Sequence, residues 1–127
     1  MAYLNNQSLT IKLISGTSNV DVIANVDVSL SQLERFLVSG GLNLKMKCKL
    51  VGSDAGANGP DDDLYLFPAK TIIKDDVVTF SAIMSKSVLD EDSIGNDEVY
   101  ANFCLISGDP IFPLSISVNS PEISGDF

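Results

Sequence analysis

With no histidine and only two cysteines, Cys48 and Cys104, the chain has few residues able to do chemistry other than its carboxylates. Most of these gather in two segments, Ser53–Asp63 (SDAGANGPDDD) and Asp90–Glu98 (DEDSIGNDE). Crowded carboxylates repel one another, so they must stay in water or be neutralised by a cation or a basic partner. Asp90, Asp92 and Glu98 have a D-x-D-x5-E spacing, with Asp97 beside them and Gly95 allowing a tight reversal. Asp61 and Asp63 of the first segment are expected to face them. Calcium takes about six to eight oxygen ligands from flexible loops, and this set supplies that chemistry.

Other reactions lack their parts. Without histidine there is no usual general base, no usual zinc ligand and no charge switch near neutral pH. Two cysteines on different faces cannot complete a structural zinc site. Ser85-Lys86-Ser87 places a lysine between two serines, but no nucleophile turn surrounds it. The expectation is a protein that is not an enzyme and requires no cofactor, with calcium as the ion its side chains suit.

The acidic segments resemble those of the C2 domain, a β-sandwich that binds calcium between loops at one end. The resemblance rests on Asp90-Glu91-Asp92-Ser93-Ile94-Gly95-Asn96-Asp97-Glu98, similar to a D-x-D-x5-D loop, and on Asn58-Gly59-Pro60-Asp61-Asp62-Asp63-Leu64-Tyr65, similar to an Asn-Gly-x-x-Asp-Pro-Tyr loop. Together they span 17 of 127 residues. Apolar or basic membrane-inserting tips are missing from both, so the resemblance implies calcium binding more than lipid binding.

The elements that must hold these loops read as strands. Val20, Val22, Ala24, Val26, Val28 and Leu30 alternate with polar residues, the period of a half-buried strand. Leu42, Leu44, Met46, Cys48 and Leu50 alternate with Asn43, Lys45, Lys47 and Lys49, and the lysines discourage edge pairing. Between them Ser31-Gln-Leu-Glu34 is a capping-box pattern, and Gly40-Gly41 ends a helix of about two turns, expected to plug the sandwich through Leu33, Phe36 and Leu37. Further strands are expected at 9–14, 64–73 past Pro68, 77–84, 98–106 and 111–118, with those that hold Pro68 and Pro113 lying at edges or broken there, because proline removes a ladder donor. Lys74-Asp75-Asp76 is read as a turn. Residues 119–127, with Pro121 and Gly125, are read as an extended tail that could be mobile. The expected fold is all-β: an antiparallel β-sandwich of about seven strands with one short helix, forming a single domain over 1–127.

Cys48 shares its phase with core residues, while Cys104 shares its phase with Tyr100 and Asn102, so a disulfide between them is not expected. Tyr65 and Tyr100 stand near the acidic segments, as core edge or as a sugar platform.

The net charge is −9. It excludes nucleic acid, whose affinity comes from basic side chains meeting phosphates. Residues 1–50 carry five basic and three acidic residues, and residues 51–127 carry three basic and fourteen acidic. That polarity permits head-to-tail association between copies. No run of about 18 apolar residues is present, so no transmembrane segment is expected. The first residues lack a secretory leader pattern, so the expected location is cytoplasmic, or outside by a leaderless or particle-associated route. Two readings of function stand: an interaction or assembly module that joins a protein partner or forms a homo-oligomer, and a C2-like calcium-dependent module for a carbohydrate, protein or lipid ligand.

Overall fold

The computed structural model describes residues 2–52, 62–89 and 97–125. Among these it is an antiparallel β-sandwich with one α-helix. Nine strands run in chain order: β1 (Tyr3–Leu13), β2 (Asn19–Ser29), β3 (Leu44–Gly52), β4 (Asp62–Leu66), β5 (Lys70–Ile72), β6 (Asp76–Ser85), β7 (Asp97–Ser107), β8 (Ser115–Asn119) and β9 (Ile123–Gly125). The helix α1 (Gln32–Ser39) crosses from β2 to β3. One sheet has the order β1-β2-β6. The other is built on β4-β3-β7-β8, with β5 also on β3 and β9 also on β7.

The apolar phases of β2 and β3 face each other across the core. Val20, Val22, Ala24, Val26 and Val28 are buried on one sheet, and Leu44, Met46, Cys48 and Leu50 on the other. Phe80 of β6 reaches Phe103 of β7 with ring centroids 6.3 Å apart, which ties the two sheets through an aromatic contact. Tyr65 and Phe67 continue that line outward toward Phe80.

The run over 64–73 is broken at Pro68, as a residue with no N–H to donate requires, and both halves pair with β3 on either side of the break. Four expectations are corrected. β1 begins at Tyr3 rather than Leu9. A bulge between Asn5 and Ser8, with Asn6 at φ 51°, shifts the phase between the buried Leu4 and Leu9 and hides the alternation. The strand expected from Ile111 begins at Ser115, because Asp109 forms a turn that accepts the Ile111 and Phe112 backbone N–H groups and Pro113 follows. Within the segment read as a tail, Ile123–Gly125 pairs with Asp97–Val99 of β7 as β9.

The fourth correction concerns the helix. The capping box forms as expected: Ser31 Oγ accepts the Glu34 N–H at 3.2 Å and Glu34 Oε1 accepts the Ser31 N–H at 2.8 Å. Yet Leu33 is exposed and Phe36 is 73% exposed, while Glu34 is only 1% exposed and Leu37 and Val38 are half-buried. Closing the box turns the Glu34 face inward, and this carries Leu33 and Phe36 outward.

Candidate functional site

Three surfaces bear on function, and the strand register places each of them. Gly52 at the end of β3 pairs with Asp62 on one side and with Val99 on the other, while Asp97 pairs with Gly125. The strand ends that flank the two acidic segments therefore lie side by side at one end of the larger sheet. Of the proposed calcium ligands, Asp61, Asp90 and Asp92 lie outside the described residues, and Asp97 is placed only as backbone of β7. Glu98 is half-buried opposite Ser124. Asp63 is exposed and bound to Lys49 Nζ at 3.1 Å. Among the described residues no three His, Cys, Asp or Glu side chains are grouped to hold a metal.

The second surface is the outer face of the larger sheet. The pleat of β3 aims Lys45, Lys47 and Lys49 outward, about 7 Å apart in turn. Lys47 pairs with Cys104 and Lys49 with Asn102 on β7. A groove of about 470 Å³ runs between Lys47, Lys49, Asp63, Leu66, Asn102 and Cys104. It lies over the break between β4 and β5. Lys45 and Lys47 have no ion pair among the described residues.

The third surface is the opposite end. There Asp75, in the turn before β6, accepts the Leu30 backbone N–H at 2.9 Å and the Arg35 Nη2 at 2.7 Å. Arg35 holds the Asp75 carboxyl below the ordinary carboxylate range, and the Leu30 N–H adds to this; Asp75 in turn raises Arg35. The sequence reading of a simple turn missed this clamp, because its partners lie 45 and 40 residues away. Gly108 N–H donates to the Asn43 carbonyl, so the β7–β8 loop reaches the same end. Tyr3, Leu33, Phe36, Ile73, Val77 and Ile111 are all exposed there, Ile111 at 90%. Under them Glu34 is buried. Burial pushes its pKa up, the hydrogen bonds from Ser31 push it down, and it ends below its ordinary value. Its Oε2 has no hydrogen-bond partner among the described residues.

Ser85 Oγ lies 2.9 Å from Ser87 Oγ and caps the 3-10 turn Lys86–Val88, so this hydroxyl serves the backbone. Cys48 and Cys104 are both free thiols; burial pushes Cys48 up to about 12. Tyr65 packs edge-on against Phe67 at 4.9 Å as part of the core margin. Tyr100 is half-buried on β7. No helix among the described residues is long and apolar enough to cross a membrane.

No family model matches the sequence, and a comparison with curated proteins finds no match. Solved structures do resemble the fold. A Bordetella pertussis protein given the name ApaA has a TM-score of 0.50 at 8% identity, covering 97% of this chain and 92% of its own. A protein from Archaeoglobus fulgidus has a TM-score of 0.50 at 9% identity, covering 98% of each chain. A protein given the name of a late embryogenesis abundant protein has a TM-score of 0.47 at 12% identity, covering 98% of this chain and 71% of its own. At such identities the likeness is one of fold, and function has to be argued from the surfaces.

Proposed function

We propose that the protein is a non-enzymatic interaction module that assembles with further copies of itself through its apolar end. The observation that carries this reading is the gathering of Leu33, Phe36, Ile73, Val77 and Ile111, exposed, at the end where α1, the β5–β6 turn and the β7–β8 loop meet. Large apolar side chains scattered singly are ordinary, but several at one end mark a contact surface. Charge favours a second copy as the occupant. The segments 53–63 and 90–98 hold nine of the seventeen acidic residues and no basic ones, which leaves eight acidic and eight basic residues elsewhere. The body is thus neutral, and two apolar ends meet without bringing the −9 poles together.

Light scattering behind size exclusion tests this reading in about 1 M salt, where charge contacts are screened within about 3 Å. The apparent mass is expected to rise with concentration, and Phe36→Ser with Ile111→Ser is expected to return it to the monomer. A strict monomer at every concentration would overturn the proposal.

A further inference from the structure

We infer that the free edge of β6 is a second contact between copies, in which two β6 strands pair antiparallel across a two-fold axis at Ser81. It goes beyond the apolar end and does not depend on it, since neither Phe36 nor Ile111 takes part. The Lys86 N–H donates to the Ser18 carbonyl and continues the ladder with β2, so the even-numbered residues of β6 turn their N–H and C=O groups to β2. The odd-numbered ones, Thr79, Ser81 and Ile83 among them, turn theirs to the open side. These three residues are exposed, and no proline or charge interrupts the run from Val77 to Ser85. Two open-side groups already have partners: Asp76 Oδ1 accepts the Val77 N–H at 2.8 Å, and Lys70 donates to the Thr79 carbonyl. Lys70 comes to that carbonyl over the ring of the buried Phe80, from the core side, so the second lone pair of the oxygen stays in the plane of the sheet. This blunts the edge without closing it.

Charge selects a second copy as the occupant and sets the register. β6 starts at Asp76 and is followed by Lys86, and neither has an ion pair among the described residues. With the axis at Ser81, Thr79 stands opposite Ile83 of the second copy and Asp76 opposite its Lys86, and the symmetry repeats both pairs at the other end. Thr79 and Ile83 are both β-branched and meet on the outer face, a favourable cross-strand pair. Moving the axis by one residue sets Asp76 against Met84 or Val88 instead and loses both ion pairs. The pairing joins two three-stranded sheets into one continuous sheet, and its symmetry closes it at the dimer. Exposed ion pairs are individually weak, and this edge buries little apolar surface beyond Ile83, so the dimer needs both pairs and is lost in high salt.

Charge reversal tests the inference. All proteins carry Phe36→Ser and Ile111→Ser, which removes the apolar contact and separates the fate of that reading from this one; circular dichroism confirms that each is folded. Light scattering is read at about 0.15 M salt, where the screening length of about 8 Å spares close pairs and damps more distant charges. There the background protein is expected to reach a dimer and no larger species as its concentration rises, and to return to the monomer near 1 M. Asp76→Lys alone and Lys86→Glu alone each set like charges against one another and are expected to stay monomeric. Both changes in one chain restore the two pairs in reverse and leave the net charge at −9, so the dimer is expected to return. Ser81→Pro takes an N–H from the open side only, which an edge strand tolerates, and is expected to abolish the dimer. A background protein that stays monomeric at about 0.15 M salt would overturn the inference. So would a single reversal or a Ser81→Pro protein that still dimerises, or a double reversal that stays monomeric.

Discussion

Asp75 joins Arg35 of the helix to Leu30, the residue that follows β2, taking Arg35 Nη2 at 2.7 Å and the Leu30 N–H at 2.9 Å on its two oxygens. The folded pKa of Asp75 is lowered, first by the Arg35 hydrogen bond and then by Leu30. A carboxyl depressed on folding adds stability that is complete above its unfolded value and is lost as pH falls through its folded value. Asp75→Asn is therefore expected to melt below the wild type near neutral pH. The gap should close as pH drops below about 4, the ordinary aspartate value, toward the depressed one. A gap that stays constant down to the acid transition would show that the charge of Asp75 plays no part.

Phe103 is fully buried between the sheets, against Phe80. Phe103→Ala removes the ring from a core that cannot collapse around the cavity, and a loss of about 3–5 kcal/mol is expected in urea unfolding. A loss near 1 kcal/mol would mean that the sheets close over the gap.

The two thiols should differ sharply in reactivity. Cys48 is buried with its pKa pushed up to about 12, whereas Cys104 is half-exposed on the outer face. The thiolate is the nucleophile, so a disulfide reagent at about pH 8 should label one thiol in the native protein and both in denaturant. Cys104→Ser should abolish the fast label.

Lys70 guards an edge. It extends from β5 in one sheet to donate to the Thr79 carbonyl on the free side of β6 in the other, and its ammonium lies 5.3 Å from the Phe80 ring centroid. Among the described residues β6 has a ladder neighbour only in β2, and it carries exposed Val77 and Ile83. Open, flat, partly apolar edges pair with other chains. Lys70→Ala is expected to raise light scattering on warming and to increase binding of an amyloid dye, with Lys70→Arg close to the wild type.

Calcium separates the two readings made from the carboxylates. If the acidic segments serve contacts between copies, millimolar calcium and sodium chloride of equal ionic strength should shift the melting temperature alike. A rise specific to calcium and lost in Asp92→Asn would restore the C2-like reading.

The alternation along β2 and β3 made both core faces legible, and the capping box was legible down to its two hydrogen bonds. What the sequence concealed was non-local. The helix was expected to bury its most apolar side chains, but the capping box fixed its rotation and turned Phe36 to solvent. The bulge at Asn6 masked the first strand by breaking the period-2 pattern. The acidic poles and the lysine row were both visible as composition. The placement of the lysine row on the outer face of the larger sheet, and of Gly52, Asp62 and Asp97 at one end of it, required the register.

The interruption at Pro68 also sets where the protein can breathe. β4 stops at Leu66 and β5 starts at Lys70, so among the described residues β3 is bridged along that edge around Lys47 only by the Phe67 N–H on the Cys48 carbonyl. The groove above this seam reaches Phe67 and Cys48, which are both core residues. Parting the seam wets the middle of the core while β1 and β2 keep their ladder. Hydrogen exchange in this stretch should thus run ahead of global unfolding, as a sub-global opening.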